Sequence, residues 1–261
     1  MDIEKNIKLH NKIARKYEAT HTEIYNDVEQ SRLLADLKKT TTFIKKERIT
    51  ALDLGCGAGN LTNHLLDIGC KVIAADVSKG FLNLVEDTFA DRDISTFELN
   101  GENLDGIKDN SLDLIATYSV LHHIPDYIKT IHEMIRVCAP GGIIYIDHEQ
   151  NNEYWIANEE YKEFQKKVNK VNFRKYFVLS NYIGKFKRLF NPRYANEGDI
   201  HVWPDDHIEW DIIDEIMKQN SFQKVFQNDF LLYNSNYKNE MFNDYKDKVT
   251  DMRVTAYQKN T

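Results

Sequence analysis

The chain has 261 residues, 42% of them hydrophobic and 29% charged, with a formal net charge of −7. That is the composition of a globular protein able to bury a substantial core without staples, and its acidic balance argues against a general nucleic-acid binder. No apolar run approaches a membrane span, and the first residues are too polar for a signal peptide. Cys56, Cys70 and Cys138 are scattered without metal spacing, so no metal site is expected and cytoplasmic residence follows as the default.

Residues 1–45 read as an N-terminal helical segment. Ile13, Tyr17, Ile24, Val28, Leu33 and Leu37 recur at helical spacing, and no Gly or Pro interrupts them. From Arg48 to Glu149 short apolar strands alternate with helices. Strand Ile49–Leu54 precedes helix Asn60–Ile68, and strand Lys71–Asp76 precedes a helix near Gly80–Asp87. Strand Ser95–Leu99 and strand Leu112–Val120 follow. Helix Ile128–Cys138, a turn at Pro140-Gly141-Gly142 and strand Ile143–Asp147 complete the series. Such alternation means an α/β fold with a parallel sheet and helices on both faces, whose ligands sit beyond the carboxyl ends of the strands.

The chemistry-bearing residues fall at those ends. Asp53-Leu54-Gly55-Cys56-Gly57-Ala58-Gly59 follows the first strand. Glycine at alternate positions allows a tight turn and a close approach of ligand to main chain, and the helix that follows offers unpaired N–H groups. Asp76, 23 residues beyond Asp53, ends the second strand, where an acid can accept both hydroxyls of a ribose. Asn100-Gly101-Glu102 follows the third strand, and Tyr118-Ser119-Val120-Leu121-His122-His123 ends the fourth. The glycine spacing differs from the Gly-x-Gly-x-x-Gly of dinucleotide binders.

Asp-x-Gly-x-Gly-x-Gly, with Asp76 and the later motifs, resembles the class I S-adenosylmethionine-dependent methyltransferases, strongly over roughly residues 45–150 and more loosely at the ends. The resemblance implies a Rossmann-like seven-stranded sheet, mostly parallel with an antiparallel last strand. It implies S-adenosylmethionine as cofactor and S-adenosylhomocysteine as product. The main chain at Gly55, Cys56 and Gly57, with Gly59 in the same loop, is implied against the methionine part, with Asp53 ordering it. Asp76 is implied on the ribose, Val77 on the adenine face and Asn100, Gly101 and Glu102 at the adenine edge. Tyr118 is implied at the methionyl end through its backbone. Many relatives carry Asp where Asn100 stands, and an amide offers a donor as well as acceptors. An N-terminal segment covers the cofactor pocket in this family, which makes Tyr17 and Tyr25 candidates to face the substrate. Aromatics that pack the helices onto the domain would look the same.

Residues 150–210 break the alternation and read as a helical cap. They hold aromatics from Tyr154 and Trp155 to Phe190, and ten Lys or Arg against one acid between Lys162 and Arg193. A solvated basic face over an aromatic core stripe explains this composition, and so does a cap that recruits an anionic or lipidic small molecule. Residues 211–261 supply an amphipathic helix, 211–220, and two closing strands, Phe222–Leu232 and Asp251–Gln258. The expected organisation is therefore 1–45, a cofactor-binding core 46–149, a cap 150–210 and a completing segment 211–261.

A hydroxyl or acidic carbon acceptor needs a base, whereas a neutral amine does not. His123 and His122 stand beside the expected methyl position, and an imidazole titrates near neutrality. Consecutive residues at a strand tip point apart, so one of the pair is expected in the cleft and the other in the turn before Pro125. His148, His201 and Trp203 are candidates for a substrate-side wall. The fourth strand end carries neither Asn-Pro-Pro-aromatic nor Pro-Cys, which disfavours DNA targets and leaves a small metabolite as the main class of acceptor. The competing readings are a non-catalytic cofactor-binding partner protein, a nicotinamide oxidoreductase, and a methyltransferase of RNA or a carrier protein.

Overall fold

The computed structural model describes residues 21, 23–170, 207–234, 237 and 239–261. Tyr17, His201 and Trp203 lie outside them. In chain order the elements are α1 (Asp27–Thr41), β1 (Thr50–Leu54), α2 (Asn60–Asp67), β2 (Lys71–Asp76), α3 (Lys79–Thr88) and β3 (Ile94–Glu98). β4 (Leu112–Tyr118), α4 (Tyr127–Val137), β5 (Cys138–Gln150), α5 (Asn152–Trp155) and α6 (Glu159–Lys170) follow. α7 (Trp210–Gln219), β6 (Phe222–Phe230), α8 (Asn239–Tyr245) and β7 (Met252–Lys259) complete the chain. A 3-10 turn spans Leu121–His123 between β4 and α4. Among the described residues no helix is long and apolar enough to cross a membrane.

The sheet has seven strands in the order β3-β2-β1-β4-β5-β7-β6. The first five are mutually parallel, and β7 runs antiparallel to both β5 and β6. The order reverses between β1 and β4, which opens a crevice at their carboxyl ends. Strand alternation sorts the core into two layers. Ala51, Leu114, Ala116, Ile143, Tyr145 and Ala256 pack with Leu33, Leu37, Leu61 and Leu65 of α1 and α2. Their neighbours Leu52, Ile115, Ile144, Ile146 and Tyr257 pack on the other face with Ile131, Met134, Trp210, Ile213 and Met217 of α4 and α7. A strand with helices on both sides has no polar face to show, which is why these segments read as continuous apolar runs.

Two local features depart from the sequence reading. The Pro140-Gly141-Gly142 turn lies inside β5 as a wide irregularity: Leu112 pairs with Cys138 and Leu114 with Ile143, with Gly141 at φ 75°. Helix α8 was not expected, since its sequence, Asn-Glu-Met-Phe-Asn-Asp-Tyr, is weakly helical. Packing stabilises it: Phe242 and Tyr245 join Tyr161 and Phe164 of α6 and Leu231 in a satellite cluster. In the described part of the 150–210 stretch, the aromatics Tyr161 and Phe164 thus face inward, while Lys162 and Lys167 pair with Glu159 and Glu163 of their own helix.

Helix α1 is docked by a buried charge network. Asn26 caps it by accepting from the Glu29 N–H. Arg32 donates to the Glu29 carboxylate through Nε and Nη2, to Asp36 through Nη1 at 2.9 Å and to Asp147 of β5 through Nη2 at 3.1 Å. The Phe230 ring lies 4.0 Å beneath the guanidinium. Burial pushes the Asp147 carboxyl up to about 6 against the pull of Arg32, and burial also raises Glu29, where the Arg32 contacts win and hold it below its ordinary value. Removing the shared cation would leave Glu29 and Asp147 buried without their partner. Arg32→Met is therefore expected to cost about 3–5 kcal/mol of stability, read from the midpoint of denaturant unfolding.

Candidate active site

Gly55 leaves β1 with φ 77°, and its N–H donates to the Ala75 carbonyl at 2.8 Å, as does that of Cys56 at 3.0 Å. This ties the glycine turn to β2. A Cβ at Gly55 would lie 2.6 Å from Val120, so the turn can approach the β4 tip only without a side chain. Gly57, at φ 48°, has its N–H on Asp76 Oδ2 at 3.0 Å, and a Cβ there would meet nothing within 4 Å. Gly59 has a different duty. It precedes α2 at φ 90°, and a Cβ would lie 2.8 Å from the Phe89 ring, so this glycine serves packing.

Asp76 is 6% exposed, and its Oδ1 accepts from the Ser78 N–H at 2.8 Å. Asp53 lies below the turn, 1% exposed, and accepts from Thr62 Oγ1 at 2.5 Å. Burial pushes its carboxyl up to about 7; the Thr62 hydrogen bond opposes this and the Asp76 charge adds to it. Cys56 is buried, and that burial, with Asp76 and Asp53 nearby, holds its thiol well above its ordinary value and therefore neutral.

These residues line a cleft of about 230 Å³, together with Tyr25, Val77, Gly101, Glu102, Tyr118 and His123 among others. Asn100 and Gly59 are not on its wall. The Asn100 Oδ1 accepts from the Glu102 and Asn103 N–H groups at 2.8 and 3.0 Å, and so shapes the loop that brings Gly101 and Glu102 to the cleft. That loop is anchored to α4, since Glu133 accepts from the Leu104 N–H and Arg136 donates to the Leu104 and Ile107 carbonyls. Tyr118 turns its hydroxyl away to Glu29 Oε1 at 2.8 Å.

The two histidines of the 3-10 turn part. His123 lines the cleft, while the His122 Nδ1 lies 2.7 Å from Glu149 Oε2, and the two rings are 4.0 Å apart between centroids. His148 does not line the cleft. It is buried behind Tyr118, ring centroids 4.6 Å apart, at φ 58°, with neither ring nitrogen hydrogen-bonded. Burial lowers its imidazole and keeps it neutral. Two residues at this end were not singled out from the sequence. Asn60 lines the cleft with a buried, unpartnered Nδ2, and its place as the first residue of α2 after the glycine turn was a signal within reach. Glu149 had no such signal.

The cleft fits an adenosyl cofactor. A glycine turn with open space above Gly57, a buried carboxylate at a strand tip, an unsatisfied amide donor at Asn60 and apolar walls at Val77, Phe81 and Leu99 match a molecule with a polar tail, a ribose and a flat ring. Fold and cleft define a Rossmann-like methyltransferase. Residues 52–146 match the family model described as a methyltransferase domain, and this stretch is a methyltransferase domain of the class I S-adenosylmethionine-dependent type.

An uncharacterized methyltransferase of Schizosaccharomyces pombe is 23% identical over 214 residues, 75% of each chain. A thiol S-methyltransferase of Rattus norvegicus is 27% identical over 50% of each chain. A demethylmenaquinone methyltransferase of Oceanobacillus iheyensis is 35% identical over 36% of this chain and 41% of its own. The chain thus spans half or less of the rat and Oceanobacillus relatives. Among solved structures, a SAM-dependent methyltransferase from Aquifex aeolicus superposes with a TM-score of 0.53 at 14% identity, over 95% of this chain and 97% of its own. A chain of the Haloferax volcanii complex between the Trm112 methyltransferase activator and a methyltransferase reaches 0.61 at 14% identity, over 97% and 98%. These likenesses are of fold.

Asp76→Ala removes a charged acceptor and the partner of the Gly57 N–H. It is expected to weaken S-adenosylhomocysteine binding by about 1.5–3 kcal/mol, measured by calorimetry; undiminished affinity would remove Asp76 from the site. Asp53 carries a pH signature. Its folded-state pKa of about 7 lies above its unfolded value, so its contribution is present at low pH and is lost as pH rises from about 4 through about 7. Asp53→Asn, which mimics the protonated form, is expected to gain stability relative to wild type across that window in parallel thermal unfolding series.

Proposed function

We propose that the chain transfers a methyl group from S-adenosylmethionine to an oxygen, nitrogen or carbon of a small-molecule metabolite or biosynthetic intermediate. The observation that carries this reading is that His123 lines the same cleft as Gly57 and Asp76. Small acceptors are also in keeping with the printed names of relatives, among them the demethylmenaquinone enzyme and a ubiquinone biosynthesis O-methyltransferase of Methylococcus capsulatus, 26% identical over 97 residues.

In this reading Asp76 holds the ribose hydroxyls, and the main chain at Gly55 and Gly57 holds the methionine part. Asn60 donates its free amide hydrogens to the carboxylate of that part. Val77 packs on the adenine, with Gly101 and Glu102 at its edge. The bound cofactor supplies a methyl group made electrophilic by its sulfonium. The chain supplies alignment and exclusion of water, and Ile24, Tyr25 and Tyr118 wall the cleft on the α1 side. His123 takes the proton from a hydroxyl acceptor; a neutral amine needs only alignment. The aromatic pair of Trp155 and His207, 4.5 Å between centroids, joins α5 to the segment before α7.

Titration with S-adenosylmethionine, S-adenosylhomocysteine and NAD, followed by a panel of phenols, quinols, thiols and amines with labelled cofactor, tests the reading. Binding of NAD in place of the adenosyl compounds would sink it. For a hydroxyl acceptor, His123→Ala is expected to lower turnover by about 10²–10⁴-fold with cofactor affinity little changed. A small effect would assign the catalysis to alignment alone, as for an amine.

A further inference from the structure

Glu149 reaches its position through a flaw in strand alternation. In a regular strand Tyr145, Asp147 and Glu149 would share one face. Ile146 pairs with Thr255 and Glu149 with Arg253, so β5 spends two residues where β7 spends one. This is a β-bulge, with His148 at φ 58° inside it. Asp147 and His148 both turn towards the α1 side, one to Arg32 and one to the Tyr118 ring. Glu149 then emerges on the opposite side, against Leu121 in the core layer of α4 and α7.

There it is 1% exposed and fully engaged. Its Oε1 accepts from the Val120 N–H at 3.1 Å and the Leu121 N–H at 2.8 Å, and its Oε2 faces His122 Nδ1 at 2.7 Å. Burial pushes its carboxyl up, but His122, the Leu121 N–H and His123 outweigh burial and keep it below the ordinary carboxylate range. An ionised carboxylate only accepts, so the hydrogen of a neutral His122 ring must sit on Nδ1, which leaves Nε2 with the lone pair. The groups facing Glu149 are His122 and His123 on the turn and His148 on its own strand; His148 in turn feels Glu29 and Arg32 of α1.

We propose that Glu149 is a positioning residue of the cleft: it pins the turn that presents His123 and fixes His122 as the Nδ1–H tautomer. The inference rests on the reading of the cleft as a methyl-transfer site. A purely structural anchor would be served as well by an amide, and that separates the two roles. In Glu149→Gln the amide oxygen can still accept from the turn, but the amide nitrogen donates, so His122 must accept at Nδ1 and move its hydrogen to Nε2. Glu149→Asp keeps the charge.

Nitrogen-15 NMR of the imidazoles, on the full chain saturated with S-adenosylhomocysteine, reads this directly. Wild type is expected to show His122 as the Nδ1–H tautomer. Glu149→Gln should show it as Nε2–H, and Glu149→Asp should return the wild-type signature. An Nε2–H tautomer in wild type overturns the proposal even if the variants fail to fold. So does a Glu149→Gln protein that binds S-adenosylhomocysteine with its His122 signals unchanged. Failure of wild type to bind S-adenosylhomocysteine strikes instead at the functional reading and leaves the tautomer measurement, made without ligand, to stand by itself.

Discussion

A carboxylate withdrawn from water must find donors, and the working end of this molecule is arranged around that need. Asp76 takes the N–H groups of Gly57 and Ser78. Glu149 takes those of Val120 and Leu121 and the His122 ring. Glu29 and Asp147 share Arg32, and Asp53 takes Thr62. Each pairing ties a strand tip to a different element: β2 to the glycine turn, β5 to the turn after β4, β5 to α1, and β1 to α2. The polar groups that make the crevice reactive are thus also the ties that give it a fixed shape.

Equal burial does not give these acids equal protonation. Asp53 has the hydroxyl and backbone N–H of Thr62 as donors and the Asp76 charge nearby, its carboxyl lies at about 7, and it is neutral in mildly acidic solution. Glu149 is equally buried, has three donors and stays below the ordinary range. Environment separates two carboxylates of similar chemistry into an acid and a base. The backbone contributes in the same region. Ser119 and His148, just beyond the paired ends of β4 and within the β5 bulge, both hold φ 58° without being glycine. Strain of this kind persists only where neighbours over-determine it, and here the Ser119 N–H is fixed on the Asp147 carbonyl at 3.0 Å.

The core was legible because burial leaves little freedom of composition. Segments 49–54, 71–76 and 112–120 read as strands since helices cover both their faces, and Gly55 and Gly57 stood out in a turn that holds both at positive φ. What escaped depended on contacts distant in sequence. Arg32, Glu29 and Asp36 on α1 look like a solvated helix face until Asp147 arrives from β5. Asn239–Tyr245 becomes a helix because Tyr161 and Phe164 pack on it. Glu149 could not be placed by period-two counting once one extra residue entered the strand, and the same insertion moved His148 behind Tyr118. Gly59 shared the spacing of its neighbours but answers to Phe89, a contact that no motif encodes.

Strand β7 follows β6 in the chain yet lies between β6 and β5 in the sheet. As the polypeptide is made, β6 therefore emerges before the strand that will join it to the rest, and β5 waits with a bare edge. Such an edge is a template for any passing strand. Closure of the sheet is also a late, long-range event, since Ile143 must wait for Gln258 and Phe222 for Lys259. A nascent chain of this protein passes through a stage at which its nucleotide-binding half is complete in sequence and its flank is still adhesive, and that interval is where chaperone protection during synthesis would matter most.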